Sequence, residues 1–276
     1  MYDTIVVHKK QIVNFVERDM QMARISAHID PKSLGYTTRI EVIFPQRDTP
    51  VEKILYMLHG LGGDCTAWGR LSRIEEYAEQ HGYAVIMPEV QRSLYTDMAH
   101  GNDYFTYVAF ELPQIIETLF NLKHSREKTF VAGLSMGGYG ALKCGLTRPD
   151  FYGACAGFSG FLDPPSHVHN FSPQNDPWNM TKQLRGIFGV EMVYPDTSNI
   201  FLLAEKASLL PEKDKPRVLV TCGDADFLLA DSRRFDAHMK QLAIPYTYKE
   251  WPGEHNWKFW EECLPVLFEF LKGDTQ

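Results

Sequence analysis

Residues 130–141, FVAGLSMGGYGA, surround one serine with glycine and alanine. Side chains this small add almost nothing to a core, so their use here has to be conformational. Gly133-Leu134-Ser135-Met136-Gly137 is G-x-S-x-G, with the apolar run KTFVA before it and GGYGALKCGL after it. A strand before and a helix after is the setting in which this pattern makes a sharp, strained turn with the serine at its apex. Glycine at 133 and 137 removes side chains that would strike the neighbouring helix and strand. Gly138 and Gly140 let the helix lie close to the sheet. A phosphate loop would want a lysine and another glycine spacing. The stretch reads as a device that lifts the Ser135 hydroxyl into a cavity.

Apolar runs of strand length lie on both sides of this turn, at 22–29, 36–45, 53–59, 83–90, 128–134, 153–160, 217–223 and 246–252. Helical periodicity falls at 66–80, 104–122, 136–147, 228–242 and 256–271. Strand and helix in alternation predict an α/β fold with a mostly parallel central sheet and helices on both faces. The Pro and Gly turn in DPKSLGY predicts that the first two strands form an antiparallel hairpin at the sheet edge. From about 164 to 197 the rhythm fails in a stretch rich in Pro, Asn and Asp. That excursion reads as an irregular cap over a pocket, inside a single domain spanning 1–276.

The whole chain has 276 residues, 44% hydrophobic and 23% charged, with a net charge of -7. Such a balance describes a globular protein with a real core and argues against a nucleic-acid partner. The amino terminus is broken by charge every few residues, unlike a secretion signal. No run approaches the roughly 18 apolar residues of a membrane helix. Five widely spaced cysteines without a C-x-x-C pair read as reduced thiols, so the expectation is a cytoplasmic protein with no membrane partner. A homo-oligomer stays open.

A serine hydroxyl needs a base to take its proton, and the base needs an acid to orient it. In strand-turn-helix sites of this kind both follow the serine, at the ends of later strands. RVLVTCGDADFLL ends one late strand with Asp224 and Asp226, and KEWPGEHNW ends the last with His255. Of the ten histidines, His255 alone falls in a loop after a late strand, which makes it the candidate base. Asp226 is the favoured acid, with Asp224 as the alternative that supports the turn. ILYMLHGLGGD (54–64) offers glycines where backbone amides must approach an oxyanion. The amides of Leu61 and Met136 are its candidate donors, with His59 supporting the loop.

Trp68, Tyr95 and Tyr104 are candidate substrate contacts, because they sit near the anion loop or in the loop after the fourth strand. Trp257 and Trp260 read as packing residues of the last helix. His167-Val168-His169 resembles a metal pair but lacks a matching ligand set, so neither metal nor cofactor is expected.

LHGLGGDCTAW, REKTFVAGLSMGGYGALK and CGDADFLL…GEHNW together resemble the tributyrin esterase branch of the esterase D family, from about residue 20 to residue 270. That resemblance implies the α/β-hydrolase fold and a serine carboxylesterase acting on small-molecule esters of short acyl groups. It maps the triad onto Ser135, Asp226 and His255 and the anion hole onto Leu61 and Met136. The same residues would serve an S-formylglutathione hydrolase-like thioesterase, a cinnamoyl, feruloyl or sugar-acetyl esterase, or an acyltransferase.

Overall fold

The structure, a computed structural model, describes residues 21–46, 51, 53–168, 176 and 179–273. Eight strands form one sheet: β1 (Gln21–Ile29), β2 (Thr38–Gln46), β3 (Lys53–Leu58), β4 (Tyr83–Pro88), β5 (Thr129–Leu134), β6 (Ala154–Phe158), β7 (Arg217–Gly223) and β8 (Tyr246–Trp251). Their spatial order is β1-β2-β4-β3-β5-β6-β7-β8. The β1–β2 hairpin is antiparallel, as the turn residues predicted, and β2 also runs antiparallel to β4; β3 to β8 are mutually parallel.

Successive side chains of a strand face opposite sides, and β3 uses both sides for core. Ile54, Tyr56 and Leu58 join one apolar cluster, Leu55 and Met57 the other. The helices α1 (Ala67–Leu71), α2 (Ile74–His81) and, at the chain's end, α10 (Trp257–Lys272) cover the second cluster. Against the first lie α4 (Leu112–Phe120), α5 (Met136–Thr147), α7 (Met180–Phe188), α8 (Ile200–Ser208) and α9 (Leu229–Met239). Two short helices, α3 (Tyr104–Thr106) and α6 (Pro164–Val168), complete the set among the described residues.

Several boundaries differ from the periodicity. The helix read over 66–80 breaks between α1 and α2, where extended Ser72 turns its hydroxyl back to the Trp68 carbonyl (2.6 Å). The 104–122 helix is α3, a wide turn at Tyr107–Glu111, and α4. The cap excursion is not wholly irregular. Met180, Leu184, Ile187 and Phe188 are buried at helical spacing along α7, a period hidden by the Pro and Asn residues around it. α8 was not foreseen at all, although Asn199 caps it by accepting from the Phe201 and Leu202 amides.

Register places the site. Leu58 pairs with Gly133 and Leu134 with Phe158, so the loops leaving β3, β5 and β6 emerge side by side. In parallel sheets ligands gather at that carboxyl edge.

One buried charge stands out in this scaffold. Lys143 of α5 is 2% exposed, and burial pushes its ammonium down to about 8, with Cys144 and Asp97 as weaker opposing influences. Unfolding therefore takes up a proton between about pH 8 and the ordinary lysine value near 10.5, and the lysine's penalty on folding fades as pH rises through that window. The Tm of the wild type relative to Lys143→Met is expected to rise by a few degrees from pH 7 to pH 10. A difference independent of pH contradicts this assignment.

Candidate active site

Ser135 occupies the turn between β5 and α5 with φ 53° and ψ -117°, the left-handed half of backbone space that a residue with a Cβ rarely enters. Two glycines make the turn feasible. A Cβ on Gly133 would fall against the Gly137 carbonyl, and one on Gly137 against the Leu58 carbonyl, closer than any non-bonded pair allows. A Cβ on Gly138 would lie 3.1 Å from Gly160 Cα and 3.2 Å from the Phe158 carbonyl, tighter than ordinary contact. Gly140 differs from expectation: the Tyr95 ring, not the sheet, fills the space beside it.

The turn is held from β6, because the Ser135 amide donates to the Phe158 carbonyl (2.8 Å) and the Phe161 amide to the Ser135 carbonyl (3.2 Å). His255 arrives from the far end of the chain, one residue before the Asn256 cap of α10. Its loop is zipped to the β7 exit: Asp224 N–H donates to the Trp251 carbonyl (3.0 Å) and Ala225 N–H to the Gly253 carbonyl (2.9 Å). Gly253 packs under the Phe259 ring with no room for a Cβ.

These loops bring three groups together. Ser135 Oγ lies 3.0 Å from His255 Nε2, and His255 Nδ1 lies 3.0 and 2.9 Å from the two Asp226 oxygens. Nδ1–H donating to the carboxylate leaves Nε2 as the acceptor for the serine proton. The Asp226 side chain is fully buried, and its Oδ1 also accepts from the Leu228 amide at 2.8 Å. Asp224 has a different task, accepting from the Gly253 amide at 3.2 Å and so bracing the loop that carries His255. The imidazole packs against the Phe227 ring, 4.4 Å away, and the near-perpendicular Trp260 ring, 5.0 Å away.

Across the turn lies the loop after β3. Met136 is the first residue of α5, where an amide has no acceptor inside the helix. Among the described residues the Leu61 amide has no backbone acceptor either. Leu61 lines the same cavity as Ser135 and His255. His59 is buried behind this loop. Its Nδ1–H donates to the Gly60 carbonyl (2.9 Å) and its Nε2 accepts from the Val90 amide (3.3 Å). Burial holds its pKa below the ordinary histidine value, which favours this neutral form.

The cavity holds about 870 Å³. Trp68, Tyr95 and Tyr104 are not among its walls. Trp68 is buried beneath the loop, with Nε1 donating to the Leu58 carbonyl. The Tyr95 hydroxyl donates to the His59 carbonyl, and Tyr104 pairs with Tyr36. Each ring is spent on packing and each polar tip on a protein partner. The walls come instead from Trp257 and Trp260, taken from the sequence as packing residues, and from Arg70, Gln91, Arg92 and Asn179, which it did not single out. For the tryptophans a signal was available, since they follow His255 by two and five residues at the start of α10.

His167 Nε2–H donates to the two Asp231 oxygens (2.9 and 2.8 Å), while His169 lies outside the described residues. No cluster of three or more potential metal ligands occurs among the described residues. No helix among them is long and apolar enough to cross a membrane.

Such a strand-turn-helix serine at the edge of a mixed eight-stranded sheet defines the class: a serine hydrolase of the α/β-hydrolase fold acting on ester bonds. The chain belongs to the family described as "putative esterase", whose model matches residues 32–271. It is 31% identical over 268 residues to an acetyl esterase of Caldicellulosiruptor saccharolyticus, covering 91% of this chain and 98% of that one. A fluorophosphonate-binding serine hydrolase of Staphylococcus aureus superposes with a TM-score of 0.81 at 30% identity, over 92% of this chain and 99% of that one. An S-formylglutathione hydrolase of the same organism gives 0.78 at 30% identity, over 91% and 99%.

The two aspartates are separable by mutation. Asp226→Asn is expected to lower turnover by about 10⁴-fold through the wrong imidazole tautomer. Asp224→Asn keeps an acceptor for the Gly253 amide and is expected to lose less than about tenfold, since it breaks no contact to the imidazole. Steady-state rates on one activated ester check both, and the reverse ranking contradicts the assignment.

Proposed function

We propose that the protein is a carboxylesterase that removes short acyl groups, acetyl and butyryl above all, through an acyl-enzyme on Ser135. Ser135 Oγ attacks the ester carbonyl while His255 Nε2 accepts its proton. Asp226 orients the imidazole and stabilises the imidazolium. The Leu61 and Met136 amides receive the developing oxyanion, each contributing on the order of 10²- to 10³-fold in rate. His255 then returns the proton to the departing alcohol, and a water repeats the sequence to release the acid. No cofactor enters any step.

The observation that carries this reading is the unbroken relay from Asp226 through His255 to Ser135, each link at 3.0 Å or less. The short acyl group draws its support from the likeness to an acetyl esterase. An acetyl group fills a small part of a cavity of about 870 Å³, which leaves most of the space to the alcohol. Indole walls beside Arg70, Gln91, Arg92 and Asn179 suit a polyhydroxylated alcohol such as a sugar, with apolar faces for the ring and polar groups for its hydroxyls. Five free, buried cysteines support a reducing cytoplasm as the location and a chain that works without disulfides. The chain is proposed to act as one catalytic domain.

Initial rates on p-nitrophenyl acetate, butyrate and octanoate test this, with Ser135→Ala beside the wild type. Acetate and butyrate are expected to be hydrolysed fastest, and Ser135→Ala to lose about 10⁴-fold or more. Equal rates for the two proteins contradict the proposal. A strong preference for a matched acetyl thioester would move the substrate class to sulfur leaving groups.

A further inference from the structure

Lys143 takes no part in the proposed chemistry, yet it is the most deeply buried lysine among the described residues and lies on the helix that starts at the nucleophile. Its ammonium donates to three neutral oxygens: the Tyr95 carbonyl (3.2 Å), Thr96 Oγ1 (3.1 Å) and Ser198 Oγ (3.0 Å). The Thr96 hydroxyl gives its own proton to the Leu94 carbonyl (2.9 Å), so towards Lys143 it can only accept. The Phe105 ring centre lies 4.4 Å from the nitrogen and adds a cation–π contact. Isolated buried charges are costly and survive where neighbouring groups are arranged to receive them.

What Lys143 holds is strained. Leu94 and Tyr95 are consecutive non-glycine residues with φ of 50° and 48°. Such backbone is costly for a residue with a Cβ and persists only where the surroundings over-determine it. The surroundings do so from two sides. Lys143 fixes the main chain, and the Tyr95 ring is wedged against α5 where Gly140 lacks a side chain. Wedged in this way, the Tyr95 hydroxyl donates to the His59 carbonyl at 2.9 Å. His59 directly precedes Gly60 and Leu61, both of which line the cavity that holds Ser135.

We propose that Lys143 is a positioning residue for the oxyanion site. It ties the strained Leu94–Thr96 turn to the nucleophile helix, and through Tyr95 and His59 it fixes the distance between the Leu61 and Met136 amides. The two donors sit on separate elements, the loop after β3 and the start of α5, so their spacing depends on what braces that loop against the helix. Lys143 and Tyr95 form that brace. Through Ser198 the same ammonium also fastens the segment that returns from the cap to α8. The inference rests on the proposed role of Ser135 and of the two amides.

The test is a double-mutant cycle on p-nitrophenyl acetate with Lys143→Met, Tyr95→Phe and the pair, with Ser135→Ala as control and Tm measured for each. Oxyanion contacts act in the transition state, so kcat is expected to fall by about ten- to a hundredfold with KM changed less than about twofold. The double variant is expected to lose no more than the worse single variant, because both break one chain of contacts. Should Lys143→Met fail to fold, Tyr95→Phe and Thr96→Val, each a near-isosteric change, carry the same expectation. A folded Tyr95→Phe with wild-type kcat, or losses that multiply in the pair, overturns the inference while leaving the esterase reading intact. Hydrolysis by Ser135→Ala at the wild-type rate overturns the esterase reading itself.

Discussion

The structure depends on one close approach of backbone to backbone, where the start of α5 lies against the ends of β3 and β5. At Gly137 and Gly133 there is no volume for even a methyl group between the turn and its neighbours. That contact forces the chain to reverse within one residue and leaves Ser135 in left-handed backbone geometry with its hydroxyl projecting from the sheet edge. It also sets the Met136 amide at a helix start, where an unsatisfied donor is available to a ligand. The interior is close-packed, so a bulkier residue at either glycine could not be absorbed locally and would displace β3 and the Leu61 loop with it.

The second requirement is that two loops far apart in the chain meet the serine. Parallel β7 and β8 end side by side, with Gly223 opposite Trp251, and their exits are stitched together before either reaches the site. The stitching distinguishes the two aspartates. Asp224 braces the β8 exit, and Asp226, one turn deeper and fully buried, faces the imidazole. Phe227 and Trp260 pack against the same ring at 4.4 and 5.0 Å, which limits the orientations it can adopt.

How much of this the sequence revealed follows from how local each signal is. The turn at Ser135 is written in five consecutive residues, and the strands around it in short apolar runs. Position after a late strand singled out His255 and narrowed the acid to two neighbours. Contacts made across the fold were not legible. Tyr95 and Tyr104 lie in a ligand-facing loop by topology, but their hydroxyls turn inward to His59 and Tyr36. Trp257 and Trp260 looked like core, and they are largely shielded, yet one side of each borders the cavity. α7 and α8 are only nine residues each and sit in or beside a Pro- and Asn-rich stretch, so composition masked their period. Lys143 is the one charged residue of a helix buried from Met136 to Leu146, and the oxygens that receive its ammonium come from segments 47 to 55 residues away.

The measurement that bears most directly on the account is the intact mass and peptide map of the protein after reaction with a fluorophosphonate. One stoichiometric adduct is expected, on Ser135, formed together with complete loss of ester hydrolysis. An unmodified Ser135 in protein that has lost its activity, or an adduct on a different residue, would contradict it.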